Sequence, residues 1–182
     1  MRSAVAAATF ATLLLAAPGA VSAQTATPAA GAKTATAAVK AGDGKDLGTA
    51  TLTEAPHGVL LRLELKSLTP GWHGVHFHEK GDCGTPDFKS AGAHVHTTAS
   101  VVHGLLNPDG NDNGDLPNIH ASADGSAMAE LYSPLVSLKG ADGRPALLDA
   151  DGSAIVVHAN PDDHNSQPIG GAGARVACGV VK

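Results

Sequence analysis

Sulfur ligands and positive charge are both scarce in this sequence. Its 182 residues include only two Cys and two Met. Twelve Lys and Arg residues face 17 Asp and Glu residues, so the formal net charge is −5. An acidic chain of this kind is not expected to bind a nucleic acid or an anionic membrane. With so little sulfur, a metal site would have to use nitrogen and oxygen ligands.

Long apolar runs are absent too, apart from one at the N-terminus. Arg2 supplies a short basic start, an apolar run covers residues 4–17, and Val21-Ser22-Ala23 offers the small residues typical of a cleavage site. A membrane-spanning helix needs about 20 strongly apolar residues, whereas this run is shorter, Ala-rich and followed by a Pro-Gly pair. We therefore expect residues 1–23 to be a signal peptide and the mature protein to be exported and soluble. Because the signal contains one basic and no acidic residue, cleavage changes the net charge from −5 to −6.

The two cysteines can form only one intramolecular disulfide, between Cys83 and Cys178. Such a bond would close a long loop, which chain-entropy arguments value at about 4–5 kcal/mol. An exported chain reaches an oxidising compartment, where a disulfide is expected. The alternative, two free buried thiols, is less expected outside the cytosol.

Turn signals and short alternating segments predict one all-β domain over residues 34–182, preceded by a flexible lead-in over residues 24–33. The clearest strand covers residues 59–66, where every second side chain is apolar. Gly42-Asp43-Gly44 and Asp124-Gly125 are typical of hairpin turns. Further strands are predicted at 35–39, 48–53, 119–122, 126–132, 154–158 and 175–181. Many short strands without a useful amphipathic helix indicate an antiparallel sandwich or barrel.

Histidine is the residue type that stands out, with ten in the chain. His76 and His78 form a His-x-His pair on a predicted strand, so both imidazoles project from one face and can meet one ion. Four more follow at His94, His96, His103 and His158. Residues 82–115 are rich in Gly, Pro, Asn and His, and a long irregular segment inside a compact domain is usually functional. A nitrogen-rich site of this kind predicts copper, zinc or both.

Several motifs together resemble one family. They are Gly74-Val75-His76-Phe77-His78-Glu79-Lys80-Gly81-Asp82-Cys83, Ala91-Gly92-Ala93-His94, Val102-His103-Gly104, Gly114-Asp115-Leu116-Pro117, Val157-His158 and the stretch from Gly170 to Gly179. In this order and spacing, over about residues 34–182, they resemble the copper/zinc superoxide dismutases, and the exported bacterial form most of all. The resemblance implies a flattened, eight-stranded Greek-key antiparallel β-barrel with two long metal-site loops.

The resemblance also implies roles for individual residues. The copper ligands are matched by His76, His78, His94 and His158, and His94 also matches the histidine that bridges copper to zinc. Zinc ligands are matched by His103 and Asp115, whereas Asp112 stands where the family carries a further zinc histidine. Either Asp112 completes the zinc site or His96 does, unless zinc is lost. Arg175 matches the arginine beside the open copper position, Asp162 matches a carboxylate linking His76 to His103, and Cys83 and Cys178 match the family's disulfide.

The function implied is that of an exported, periplasmic superoxide dismutase. Copper would be reduced by one superoxide and reoxidised by the next, with His94 also carrying a proton and Arg175 holding the anion. The alternative from another class is an exported copper-binding or delivery protein on the same fold, and the sequence leaves a homodimer open as the assembly state. Four histidines match no ligand position and are expected to be ordinary surface or loop residues: His57, His73, His120 and His164.

Overall fold

The computed structural model describes residues 33–182, which form nine β-strands and one short 3-10 turn. The strands are β1 Thr34–Ala41, β2 Asp46–Ala55, β3 Gly58–Leu65, β4 Gly71–His73, β5 Val75–His78, β6 Ile119–Ala121, β7 Ala127–Ser133, β8 Ala154–His158 and β9 Arg175–Val180, and the turn is Lys89–Ala91. No helix among these residues is long and apolar enough to cross a membrane. The predicted signal peptide and nearly all of the predicted lead-in lie outside the described residues.

The nine strands form two antiparallel sheets, one of seven strands and one of two. Seven strands pair in the order β5-β8-β9-β1-β2-β3-β7, and β4 pairs with β6. The chain runs directly from β4 into β5, and a tight turn, in which the Ser122 amide donates to the Ser126 carbonyl over 2.8 Å, joins β6 to β7. The pairing within the two sheets, together with the short connections from β4 to β5 and from β6 to β7, closes the strands into a flattened, barrel-like fold. The predicted all-β antiparallel class is therefore confirmed.

Gly74 explains why the structure has nine strands rather than eight. It lies between β4 and β5, where its N–H donates to the Asn160 carbonyl (2.8 Å) and its carbonyl accepts from the His158 N–H (2.9 Å). The predicted strand that carries His76 and His78 is β5, which pairs with β8, and β4 is an additional short strand before Gly74 that pairs with β6.

The core is built almost entirely from aliphatic side chains. Strand β3 alternates along its length, and Leu61 and Leu63 are completely buried, as is Leu52 on the neighbouring β2. Phe77 of β5 is the aromatic member of the main hydrophobic cluster among the described residues, and its other members are Ala, Val, Leu and Ile. Since Phe77 points into the core, the two neighbouring positions on β5, His76 and His78, point out of it.

The irregular segment 82–115 follows the free edge of β5. Isolated β-bridges pair His76 with Asp115 and His78 with His94. Between them, the Phe77 N–H donates to the Gly114 carbonyl and the Phe77 carbonyl accepts from the Val95 N–H, both over 2.9 Å. This segment is therefore fixed to the strand that carries the His-x-His pair.

The predicted disulfide between Cys83 and Cys178 is confirmed. Cys178 lies on β9, with 1% of its surface exposed, and Cys83 lies at the start of the irregular segment. The bond spans 95 positions of sequence. It ties the segment that borders β5 to the strand that also carries Arg175.

Candidate metal centre

Four buried imidazoles meet on the outer face of the barrel. His76 and His78 come from β5, His158 ends β8, and His94 comes from the irregular segment. The ring centroids of His76 and His94 lie 4.1 Å apart, and those of His78 and His158 lie 5.9 Å apart. Between 0% and 6% of each residue is exposed. We call these four residues the imidazole group.

In each of the three histidines that lie on strands, one ring nitrogen makes a hydrogen bond to a protein oxygen. His78 Nδ1 donates to the Gly92 carbonyl and His158 Nδ1 to the Gly173 carbonyl, each over 3.0 Å. His76 Nε2 contacts a carboxylate oxygen of Asp162 at 2.8 Å. Such outer contacts fix the ring orientation and leave the other nitrogen free to bind a metal.

The free ring nitrogens are buried without a hydrogen bond. They are Nδ1 of His76 and Nε2 of His78, His94 and His158. A buried polar atom without a partner costs about 1–3 kcal/mol. Four such atoms converging on one point are therefore suited to a bound ion, and an all-nitrogen donor set suits copper.

Burial keeps the strand imidazoles neutral. It lowers the pKa of His76 to about 4, that of His78 to about 2 and that of His158 to about 3. Metal binding needs the neutral form of imidazole, because the proton and the metal compete for the same lone pair. The lone pairs of these three residues are therefore available at neutral pH.

A second group of buried ligand atoms, which we call the mixed group, adjoins the first. It consists of His94 Nδ1, His103 Nδ1, Asp112 Oδ2 and Asp115 Oδ1. Asp112 Oδ2 is 2.7 Å from His94 Nδ1 and 3.5 Å from His103 Nδ1, and Asp115 Oδ1 is 3.7 Å and 2.7 Å from the same two atoms. Zinc bonds of about 2.0–2.1 Å in a tetrahedron require ligand atoms about 3.3 Å apart. The four nitrogen–oxygen distances lie on either side of that spacing, two shorter and two longer.

The two carboxylates dominate the electrostatics of the mixed group. Burial alone would lower the pKa of His103, but its contacts with Asp112, Asp115 and Asp162 outweigh burial and raise the pKa to about 11. The pKa of His94 is raised for the same reason by Asp112 and Asp115. The pKa values of both aspartates are lowered in turn, against the effect of burial. The two carboxylates therefore stabilise positive charge in the mixed group, whether protons or a metal ion carry it.

Asp162 lies between the two groups. One of its carboxylate oxygens is 2.8 Å from His76 Nε2, and the other is 3.0 Å from His103 Nε2. Asn118 holds its backbone from both sides, by accepting from the Asp162 N–H and donating to the Asp162 carbonyl. A single buried carboxylate thus orients one histidine of each group.

Arg175 borders a cavity of about 280 Å³ that opens onto the imidazole group. His78, His94 and His158 line the same cavity. Arg175 Nη1 donates to the Phe88 carbonyl (2.7 Å) and Nη2 to the Gly92 carbonyl (2.6 Å). These bonds position a cation beside the imidazoles, where a small anion can approach.

His96 also lines this cavity, but it stands apart from the mixed group. Its Nδ1 donates to the backbone carbonyl of His94 over 2.7 Å, and Glu79 lies 3.8 Å away. Of the two residues that the sequence offers as a fourth zinc ligand, the structure brings Asp112 to the other ligand atoms.

The expectation that His73 is an ordinary surface or loop histidine is wrong. His73 is 2% exposed, and its two ring nitrogens lie 2.6 Å and 2.7 Å from the carbonyl oxygens of His158 and Thr69. His164 lies in a loop, where it is partly buried and its backbone N–H donates to a carboxylate oxygen of Asp162. For His73 a signal was present, because it shares the period-two phase of the buried residues Val75 and Phe77. His57 and His120 are exposed.

The fold and the paired ligand groups define a β-barrel metalloprotein with two adjacent metal positions. A family model described as copper/zinc superoxide dismutase matches residues 47–181. The chain belongs to the copper/zinc superoxide dismutase family.

Relatives from several bacteria agree with this assignment. A Cu-Zn superoxide dismutase of Caulobacter vibrioides is 84% identical over 148 residues, which cover 81% of this chain and 85% of that protein. Cu-Zn superoxide dismutase 1 of Aquifex aeolicus is 44% identical over 140 residues, 76% of this chain and 82% of that protein. Among solved structures, the Cu/Zn superoxide dismutase of Brucella abortus has a TM-score of 0.66 at 31% identity, covering 82% of this chain and all of that one.

Proposed function

We propose that this protein converts superoxide to dioxygen and hydrogen peroxide, with copper in the imidazole group and zinc in the mixed group. The observation that carries the proposal is the convergence of four buried ring nitrogens beside a cavity that Arg175 borders. Copper, when bound there, supplies one-electron chemistry that oxidises one superoxide and reduces another. Two superoxide anions and two protons then give one dioxygen and one hydrogen peroxide.

Arg175 binds and orients the anion. Its guanidinium is fixed by two backbone carbonyls, which leaves N–H groups to face the cavity. A charge-assisted hydrogen bond is stronger than one between neutral groups. In a chain with an excess of negative charge, a fixed cation at the reacting position is needed to attract an anionic substrate.

His94 belongs to both groups. Its Nε2 faces the imidazole group, and its Nδ1 lies 2.7 Å from Asp112 in the mixed group. A residue so placed could hold a proton at Nε2 while Asp112 and the other residues of the mixed group fix its Nδ1. We assign His94 the role of proton donor to the reduced substrate.

Asp112 is the fourth ligand of the mixed group in this proposal, together with His94, His103 and Asp115. Its Oδ2 is directed to the two ring nitrogens, whereas the His96 ring is turned to a backbone carbonyl. A carboxylate oxygen binds zinc at about the same distance as an imidazole nitrogen. The replacement of a histidine by Asp112 therefore modifies the zinc site without removing it.

We further propose that the protein acts after export, most simply in a bacterial periplasm. Support comes from the predicted signal peptide over residues 1–23 and from the disulfide, which suits an oxidising compartment. In this proposal residues 24–33 are a lead-in and residues 34–182 are the catalytic domain. Amino-terminal sequencing of the exported protein, with a start at Gln24 expected, tests it.

Removal of single copper ligands tests the activity. His78→Ala and His158→Ala should each abolish superoxide consumption, because each removes one of the four converging nitrogens. His120→Ala, at an exposed position outside both groups, should leave activity unchanged. Activity and bound copper are measured on the same samples, by superoxide consumption and by metal analysis. Near wild-type turnover in either ligand variant with copper bound would contradict the assignment.

The same measurements distinguish the proposed enzyme from the alternative, a copper carrier. A carrier has no need of a fixed arginine beside the metal position, so Arg175 favours the enzyme. Wild-type protein that holds one copper per chain in the imidazole group and yet does not consume superoxide would be a carrier.

A further inference from the structure

The two groups of ligand atoms differ in donor type, although they share His94 and lie side by side. The imidazole group offers four nitrogens. The mixed group combines two nitrogens with oxygens of Asp112 and Asp115. If the two adjacent groups hold different metals, their donor atoms must make each group prefer one metal over the other.

Both carboxylates are fixed by the backbone in a way that leaves one oxygen for the metal. Asp112 Oδ1 accepts from the Gly114 N–H over 3.0 Å, and Asp115 Oδ2 accepts from the Gly104 N–H over 2.7 Å. The other oxygen of each then faces the ring nitrogens of His94 and His103. Asp112 is also 96% buried. The position thus carries an ordered oxygen donor rather than a residue that merely occupies a loop.

Oxygen donors discriminate between the metals that are relevant here. Copper(I) is a soft ion that prefers sulfur and nitrogen, carboxylates suit harder divalent ions, and imidazole accepts both copper and zinc. A histidine at position 112 would give the mixed group three imidazoles and one carboxylate. The carboxylate at this position instead gives it two of each.

We propose that Asp112 determines metal specificity, by making the mixed group select zinc and exclude copper(I). The proposal rests on the assignment of copper and zinc to the two groups. It assigns to Asp112 the function of confining copper to the imidazole group while the metals are being loaded. Asp112 adds a second oxygen donor to that of Asp115, and the higher ratio of oxygen to nitrogen donors strengthens the discrimination against copper(I).

The test measures metal binding by the full-length, metal-free protein without measuring activity. Copper(I) is titrated under anaerobic conditions against a chromophoric copper(I) chelator, and zinc against a chromophoric zinc chelator. Wild type is compared with Asp112→His and with Asp109→His, which adds a histidine at an exposed position of the same segment. Asp112→Asn, which keeps the side-chain shape, is the second variant. Cobalt(II), whose visible absorption reports tetrahedral coordination, is added to each zinc-free protein.

Wild type and Asp109→His should bind one copper(I) per chain, whereas Asp112→His should bind a second. The preference of the mixed group for zinc over copper(I) should fall by about tenfold or more in Asp112→His. Asp112→Asn should weaken zinc binding and alter the cobalt spectrum. Equal copper(I) binding by wild type and Asp112→His would overturn the proposal, as would unchanged zinc affinity in Asp112→Asn. A wild-type protein that lacks even the first copper(I) would instead contradict the proposed function.

Discussion

The metal-free protein should lose stability steeply when the pH falls below about 6.5. In the folded protein, burial lowers the pKa of His76 to about 4, of His158 to about 3 and of His78 to about 2. In the unfolded chain the same imidazoles titrate near about 6.5. Between these values the unfolded chain binds protons that the folded protein does not. The stabilising contribution is therefore present above about pH 6.5 and is lost as the pH falls toward the folded pKa values.

The three shifts set the size of the effect. Each extra proton on the unfolded chain contributes a slope of about 1.4 kcal/mol per pH unit. Three imidazoles give at most about 4 kcal/mol per pH unit near pH 5, which is large beside a typical total stability of about 5–15 kcal/mol. His103 acts in the opposite direction, because its pKa is raised to about 11. Its contribution is present below about pH 6.5 and is lost as the pH rises toward 11, so stability should be greatest near about pH 7.

Urea unfolding of the metal-free, disulfide-bonded protein, followed by far-UV circular dichroism between about pH 4.5 and 9, measures this dependence. His78→Gln should reduce the slope near pH 5 by about one-third, since it removes one of the three titrating groups. His120→Gln, on the exposed face of β6, should leave the slope unchanged. A free energy of unfolding that is flat between pH 5 and 7, or equal slopes in wild type and His78→Gln, would refute the reasoning.

Three further predictions follow from other contacts. Arg175→Ala should lower the rate of superoxide consumption and weaken inhibition by small anions while copper stays bound; loss of copper, measured by metal analysis, would mean that Arg175 is structural. Reduction of the disulfide between Cys83 and Cys178 should lower the melting temperature by calorimetry and loosen the metal segment in hydrogen exchange, and unchanged values would show that the bond does not anchor this segment. In Gly170→Ala the new Cβ would collide with a carboxylate oxygen of Asp162, so metal content should fall. Gly143→Ala, where φ is also positive but no atom lies within 4 Å, is the control, and equal metal loss in both variants would exclude the collision as the cause.

The strands could be predicted from the sequence because their signals are local. The alternation along residues 59–66 and the turns at Gly42-Asp43-Gly44 and Asp124-Gly125 need only neighbouring residues to be recognised. The division into β4 and β5 could not be predicted in this way. It depends on hydrogen bonds from Gly74 to Asn160 and His158, which are far away in sequence.

In the candidate site, too, the features that depend on local strand geometry could be predicted, and those that depend on contacts distant in sequence could not. Strand periodicity predicted that His76 and His78 share one face of β5, and the family resemblance implied that His158 joins them. The choice between Asp112 and His96 stayed open, since both lie in an irregular segment whose path is set by contacts with β5. The buried position of His73 was missed although its phase on the strand favoured it. His73 belongs to neither ligand group, yet its Nδ1 contacts the backbone carbonyl of His158 and so helps to position that residue.

The bridges between the irregular segment and β5 have a consequence for the solution behaviour of the protein. β5 is an edge strand of the seven-stranded sheet, and the backbone groups of Phe77 are paired with Gly114 and Val95 of that segment. An uncovered edge strand is a template for pairing with other chains, and this ends in aggregation. The segment that supplies His94, His103, Asp112 and Asp115 is also the cover of this edge. The backbone bridges that hold this segment against β5 therefore also keep that edge from pairing with a strand of another chain.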